Sequence, residues 1–243
     1  MDPVFMAQTF VTLLDGIPLA LQLVSIALAA GAVFAVALAF MRLYGGLALG
    51  SLARAYVFVF RGTPLLVQIF LIYYGLGQFE DVRASLLWPF LREPYWCAVL
   101  ALMLNTAAYT SEIVRGGLQS VPFGQVEAAR ACGMSGILLF RRIVAPIALR
   151  QALPGYGNEV ILMVKATSLA SIITLMEITG LAHRLISETF RAIEIFVCAG
   201  AIYLIMNFAV TRAIKMVEHW LSPHLRDAPD DARATGRVAA ISH

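Results

Sequence analysis

Charge is scarce in this sequence. Only 14% of its 243 residues are Asp, Glu, Lys or Arg, whereas a soluble domain carries about 25%. Hydrophobic residues make up 60% of the chain, and the mean hydropathy is +0.80. Apolar runs of this length need the bilayer as their solvent. The composition therefore argues against a soluble domain and predicts an all-α membrane protein.

Residues that carry catalytic or metal chemistry are also few. The three cysteines, Cys97, Cys132 and Cys198, form no CxxC pair, and we interpret them as small packing residues. The four histidines (183, 219, 224 and 243) lack metal-ligand spacing. No GxxxxGK[ST] phosphate loop occurs, so this chain does not itself bind ATP in that way. A membrane enzyme is the least favoured alternative, because no nucleophile is paired with a base.

Five apolar segments are long enough to cross about 30 Å of hydrocarbon as helices. They cover roughly residues 17–42, 55–79, 94–118, 150–176 and 192–219. Asp2 and Asp15 stand where a secretory signal would have basic residues, so we expect the first helix to direct its own insertion. An odd number of spans places the two chain ends on opposite sides of the membrane.

Basic residues are divided unequally between the two sets of loops. The sparse set has four, mixed with acidic residues: Arg83, Arg92, Arg184 and Arg191. Because cytoplasmic loops carry the excess of Lys and Arg, the sequence predicts an N-terminus outside the cytoplasm and a C-terminus within it. The basic residues thus lie at membrane boundaries, and the pI of 8.9 does not indicate nucleic-acid binding. The rich set has twelve: Arg42, Arg54, Arg115, Arg130, Arg141, Arg142, Arg150, Arg212, Lys215, Arg226, Arg233 and Arg237.

The composition changes near the C-terminus. Residues 223–243 are small and charged and show no apolar period, which is typical of a disordered segment. We therefore predict a transmembrane domain over 1–222 and a disordered cytoplasmic tail over 223–243.

A polar, basic stretch at 127–146 interrupts the apolar sequence inside the loop 119–149. Pro122 is suited to begin a short helix there, and Gly133 is suited to end it. Glu127 would lie near the positive N-terminal end of that helix, where a carboxylate is favoured. The alanines that follow it present little side chain, so another protein surface can approach closely.

This stretch, EAARACGMSGILLFRRIVAP, resembles the cytoplasmic coupling loop of ABC importer permeases. Ala145 stands where the family pattern has Leu. The segments FRGTPLLVQ, LNTAAYTSEIVRGGLQSVP and LPGYGNEVILMVKATSLAS resemble the polar amino acid branch of that family. They are most similar to the histidine, lysine, arginine and octopine group, and to the M-type permease of a two-permease importer. The resemblance implies ATPase contact through Glu127, Ala128, Ala129, Arg130 and Gly133.

The resemblance also implies a fold, partners and a location. The fold would be that of a type I ABC importer permease in the bacterial inner membrane, in contact with lipid. The partners would be an ATPase dimer that holds ATP and Mg²⁺, a second and different permease, and a periplasmic solute-binding protein. No cofactor would bind to this chain, and the substrate would be a polar, basic amino acid or an opine. A secondary transporter or channel is the alternative, although no internal repeat supports it.

Polar residues within the third span share one helix face. Asn105, Tyr109 and Glu112 are spaced i, i+4 and i+7. Polar side chains inside a membrane usually face an interior or a cavity, so these three are candidate substrate ligands. Hydrogen bonding between helices is the structural alternative, and Glu112 is also placed to pair with Arg115.

The fourth span carries a second polar cluster. Asn158, Lys165 and Ser168 lie on nearly one face, and Glu159 is offset by about 100°. Glu159 is suited to hold a substrate ammonium or guanidinium, and the hydroxyls of Thr167 and Ser168 are suited to receive a carboxylate. Structural pairing of Glu159 and Lys165 elsewhere in the complex is the alternative.

Arg61, Gly62, Thr63 and Pro64 fall within the second span. Gly followed closely by Pro predicts a helix break there, and irregular backbone at membrane depth lines a cavity or is buried in protein. Arg61 is a candidate for the substrate carboxylate, although holding the break together is the interpretation that we favour. The segment 177–194 is amphipathic and, by the resemblance, lies near the outer gate.

Overall fold

The computed structural model describes residues 2–221, and every regular element in that part of the chain is helical. The predicted tail 223–243 lies outside the described residues. The α-helices are α1 Pro3–Leu14, α2 Ile17–Tyr44, α3 Gly46–Gly62, α4 Leu65–Phe70, α5 Glu80–Arg83, α6 Trp88–Leu91, α7 Pro94–Gln119, α8 Phe123–Ala131, α9 Gly136–Leu139, α10 Ala145–Ala166, α11 Ile178–Thr189 and α12 Ala192–Leu221. Short π-helical turns occupy Leu71–Gly75 and Phe140–Val144, and 3₁₀ turns occupy Leu76–Gln78 and Thr167–Ile173.

Several of these helices are long and apolar enough to cross a membrane. Within the described residues, three runs qualify alone: Pro3–Tyr44, Pro94–Gln119 and Ala192–Trp220. Two bent pairs qualify jointly, namely Gly46–Gly62 with Leu65–Gln78, bent by 105°, and Gly136–Ile173 with Ile178–Thr189, bent by 46°. The structure thus holds three candidate spans, or up to five if each bent pair is one span.

Helix α1 is an element that the sequence analysis did not predict. Asp2 caps it by accepting hydrogen bonds from the backbone N–H groups of Val4 and Phe5, and Pro3 occupies its first turn, where no intrahelical N–H bond is needed. Leu13 is fully buried, so the helix is attached to the core by its inner face.

The core is built around α7, which packs between α2 and α10. Small residues let these helices approach closely. A Cβ added at Gly31 of α2 would lie 2.4 Å from Cγ2 of Thr106 on α7, and one added at Gly117 of α7 would lie 2.6 Å from the carbonyl oxygen of Ala148 on α10. Close helix contact through small residues is the usual way in which membrane helices associate.

The second predicted span is the most irregular one. Helix α3 begins at Gly46, well before residue 55, and ends at Gly62. The chain turns through Thr63 and Pro64 before α4 begins. The break that the sequence predicts at Gly62 and Pro64 is therefore confirmed, and it opens a space between α3, α7 and α10.

Candidate functional site

A cavity of about 420 Å³ lies beside the break between α3 and α4. Residues of α7 and α10 form its other walls. Four of the residues that the sequence analysis selected line this cavity together: Arg61, Asn105, Tyr109 and Glu159. Residues from three separate segments of the chain therefore converge on one site.

Arg61 supplies positive charge to the cavity. It lies in the last turn of α3, and its guanidinium carbon is 5.1 Å from the ring centroid of Tyr109 on α7. An arginine over the face of an aromatic ring is held by a cation–π interaction, which leaves its N–H donors available to an anion.

Glu159 supplies negative charge to the cavity from α10. Only 5% of this residue is exposed, and its Oε1 accepts a hydrogen bond of 2.9 Å from the hydroxyl of Thr106 on α7. Its second oxygen, Oε2, accepts no hydrogen bond from the described residues. A buried carboxylate with one fixed and one available oxygen is suited to bind a cation that enters the cavity.

Two polar residues that the sequence analysis did not select support this site. Thr106 holds Glu159, and Gln68 of α4 accepts a hydrogen bond of 3.0 Å at Oε1 from Nδ2 of Asn105. Gln68 and Thr106 are both buried. A buried amide in an apolar span requires partners, and this requirement is the signal that could have identified Gln68.

Glu112 does not line the cavity. The structure places it beside Arg42 of α2 and Arg115 of α7, and the second of these ion pairs has an N–O distance of 2.8 Å. The pairing with Arg115 that the sequence suggests is therefore present. Glu112 connects α2 to α7 near their ends.

The remaining candidates on the fourth span also lie apart from the cavity. Asn158 and Lys165 are exposed on one face of α10. The hydroxyls of Thr167 and Ser168 donate to the carbonyl oxygens of Val164 and Lys165, which belong to the same helical segment. These hydroxyls keep acceptor lone pairs but are not directed into the cavity described above.

The predicted short helix of the coupling loop is present as α8. Pro122 precedes its first residue, as the sequence indicates. Glu127, Ala128 and Arg130 are exposed, whereas Ala129 is buried and faces the rest of the chain. Helix α8 thus offers a surface with both charges, and it packs on the π-helical turn that leads into α10.

Gly133 ends α8 in the way the sequence predicts. Its φ is +80°, in the left-handed region where glycine is favoured. The N–H of Met134 donates to the carbonyl of Ala129, and the N–H of Gly133 donates to that of Arg130. This pair of bonds is the Schellman motif, which satisfies carbonyls at the helix C-terminus.

Comparisons with known proteins identify the family of this chain. Residues 27–223 match the family described as the binding-protein-dependent transport system inner membrane component. The chain belongs to this family. It is 64% identical over 226 residues to the octopine transport system permease protein OccM of Rhizobium radiobacter, an alignment that covers 93% of this chain and 92% of that protein.

Two further similarities extend the comparison. The chain is 40% identical over 206 residues to the arginine ABC transporter permease protein ArtM of Haemophilus influenzae, which covers 85% of this chain and 90% of that protein. A crystal structure of an amino acid ABC transporter with histidines superposes with a TM-score of 0.80 at 32% identity, over 90% of this chain and 98% of that one. This chain is therefore a transport subunit of the inner membrane and not an enzyme.

Proposed function

We propose that this chain forms the translocation pathway of an ATP-driven importer for basic amino acids or arginine-derived opines. The observation that supports this proposal best is the cavity at the helix break, which Arg61 of α3 and Glu159 of α10 line together. Such a pair complements a substrate that carries both a cation and a carboxylate.

The chemistry of the cavity fits this substrate class. An ammonium or guanidinium group meets the carboxylate of Glu159, and a carboxylate meets the guanidinium of Arg61, which can bind it through two parallel hydrogen bonds. Tyr109 and Asn105 complete the polar wall. Because Glu159 is buried, its contact with a cation is stronger than it would be in solution.

The substrate class also agrees with the relatives of the chain. The relatives described above are named as octopine and arginine permeases. Octopine is a conjugate of arginine that keeps the guanidinium group and adds a carboxylate. Both ligands therefore present the charges that Glu159 and Arg61 complement.

The membrane topology that we propose has five spans, in which each bent pair counts as one. The N-terminus is periplasmic, and α8 lies in the cytoplasm together with the basic residues Arg130, Arg141 and Arg142. This orientation follows from the unequal distribution of Lys and Arg. The transmembrane domain extends to residue 222.

The partners that we propose are those that the family implies, and we place them on the surfaces of this chain. A dimer of ATPase subunits, which holds ATP and Mg²⁺, contacts α8 through Glu127, Ala128, Arg130 and Gly133. A periplasmic binding protein delivers substrate at the outer side, near α11. Alternating access requires that the ATPase bind the outward-open and inward-open states with different affinity.

A second permease covers the exposed polar face of α10. Gln151, Asn158 and Lys165 recur on α10 at seven-residue intervals, and all three are exposed. Seven residues bring a helix back to within about 20° of the same face. Polar residues inside a membrane rarely face lipid, so we assign this stripe to the contact with a second, different permease or to the pathway between the two.

The test is a direct binding measurement on the intact complex in nanodiscs, with radiolabelled L-arginine and octopine as ligands. Glu159→Gln keeps the acceptor for Thr106 but removes the charge. We expect it to weaken binding by about 10- to 100-fold, the equivalent of one charge-assisted hydrogen bond. Glu80→Gln, which changes a carboxyl that is 93% exposed, is the control. Equal affinity of wild type and Glu159→Gln would remove Glu159 from the site.

A further inference from the structure

The break between α3 and α4 creates an unusual demand for hydrogen bonds. Helix α3 ends at Gly62, and Pro64 has no N–H to offer to the carbonyl groups of the preceding turn. At membrane depth such carbonyls are satisfied by protein groups or by water in a cavity.

The side-chain amide of Gln68 meets this demand. Its Nε2 lies 2.9 Å from the carbonyl oxygen of Phe60, 3.1 Å from that of Thr63 and 2.9 Å from the hydroxyl of Thr63. Two N–H groups thus serve three acceptors. Gln68 is only 6% exposed, so the amide is fixed within the protein.

The same amide also connects the helix break to α7 by a hydrogen bond. Its Oε1 accepts a hydrogen bond of 3.0 Å from Asn105. Asn105 lies one turn before Tyr109, over whose ring the guanidinium of Arg61 is placed. Arg61 itself lies between the two backbone carbonyls, of Phe60 and Thr63, that Gln68 binds.

We propose that Gln68 is a positioning residue for the cavity. Gln68 holds the helical turn that carries Arg61 against α7, so that the guanidinium of Arg61 faces the substrate carboxylate. This inference rests on the function proposed above. Gln68 does not line the cavity. The effect on substrate binding that we propose for it acts through Arg61.

A purely structural role of Gln68 makes a different prediction from a positioning role. If Gln68 only stabilises the fold, its removal weakens binding by the same factor whether or not Arg61 is present. If it acts through Arg61, its removal has no further effect once Arg61 has been removed. Non-additivity between neighbouring residues is what a double-mutant cycle measures.

The first experiment measures L-arginine binding to the complex in nanodiscs for Gln68→Met, Arg61→Ala and the double variant. Met has a similar length to Gln but no amide. We expect Gln68→Met to weaken binding about 10-fold and to leave the affinity of the Arg61→Ala variant unchanged. Additive losses would overturn the proposal. Gln68→Asn keeps a polar side chain but is too short to reach the same acceptors, and it replaces Gln68→Met if that complex does not assemble.

The second experiment requires no ligand. A Cβ at Gly62 meets no atom within 4 Å, so Gly62→Cys in a background without Cys97, Cys132 and Cys198 places a reporter thiol next to Arg61 without steric strain. We expect an anionic methanethiosulfonate reagent to modify this thiol faster than a cationic one. Gln68→Met should reduce that preference several-fold, as Arg61→Gln should.

The two experiments separate the two proposals. An unchanged charge preference in Gln68→Met would overturn the positioning role. A reduced preference, in a complex whose wild type binds neither L-arginine nor octopine, would support the positioning role and reject the proposed substrate class.

Discussion

Asp2 illustrates how one residue determines a helix end that the hydrophobic pattern does not reveal. Its Oδ1 lies 3.4 Å from the backbone nitrogen of Phe5 and 3.0 Å from that of Val4, and its Oδ2 lies 3.6 Å from Arg191. The N–H groups of Phe5 and Val4, followed by the charge of Arg191, hold the pKa of the Asp2 carboxyl below its ordinary value of 3.8. The negative charge thus favours the first turn of α1.

The lowered pKa predicts a pH dependence with a definite sign. Because the pKa is lower in the folded chain, ionised Asp2 stabilises α1 at pH values above 3.8, and this contribution is lost as the pH falls through the folded-state pKa. The measurement is an NMR titration of the labelled carboxyl in nanodiscs. Arg191→Gln should raise the pKa only partly, since the backbone bonds remain. A wild-type titration at or above 3.8 would contradict the assignment of the cap.

Two adjacent glycines of α7 differ in their importance for the contact between helices α7 and α10. A Cβ at Gly117 would lie 2.6 Å from the carbonyl oxygen of Ala148 and 3.0 Å from Cβ of Ala152, whereas one at Gly116 would meet no atom within 4 Å. Gly117 therefore sets the distance between α7 and α10, and Gly116 does not.

This difference predicts opposite effects on stability. Gly117→Ala should destabilise the complex by about 1–3 kcal/mol, because α7 and α10 must separate. Gly116→Ala should be neutral or stabilise by up to about 1 kcal/mol, because it gains only helix propensity. Thermal unfolding of the purified complex measures both, and the two variants share the same change in propensity. Equal unfolding temperatures would show that the close approach is not required.

Local signals made several elements predictable, whereas contacts distant in sequence were not. Gly133 predicted the end of α8, and Gly62 with Pro64 predicted the helix break, because these residues determine the conformation of their own backbone. The bond between Asn105 and Gln68 joins residues 37 positions apart, and the bond between Thr106 and Glu159 joins residues 53 apart. Spacing within one helix cannot reveal such pairs. For the same reason it did not separate Glu159, which lines the cavity, from Asn158, which does not.

At the scale of the whole chain, α10 connects the coupling helix α8 to the cavity. Helix α8 packs on the turn Phe140–Val144, and that turn leads directly into α10, which carries Glu159. The helical rise places Glu159 about 21 Å from the start of α10 at Ala145. If the ATPase that we propose displaces α8, we expect α10 to shift and one wall of the cavity to move relative to Arg61 on α3.

This arrangement predicts that a change in α8 abolishes transport without disturbing the cavity. Glu127→Lys reverses a charge on the exposed surface that we assign to the ATPase, in the middle of α8. We expect loss of uptake in cells, with normal membrane insertion and with L-arginine binding to the purified permease pair unchanged. Glu218→Lys, the same charge reversal near the end of α12, is the control and should retain uptake. Uptake near the wild-type rate in Glu127→Lys would reject the coupling role of α8. Loss of both uptake and binding would instead mean that the substitution disturbs the fold as far as the cavity.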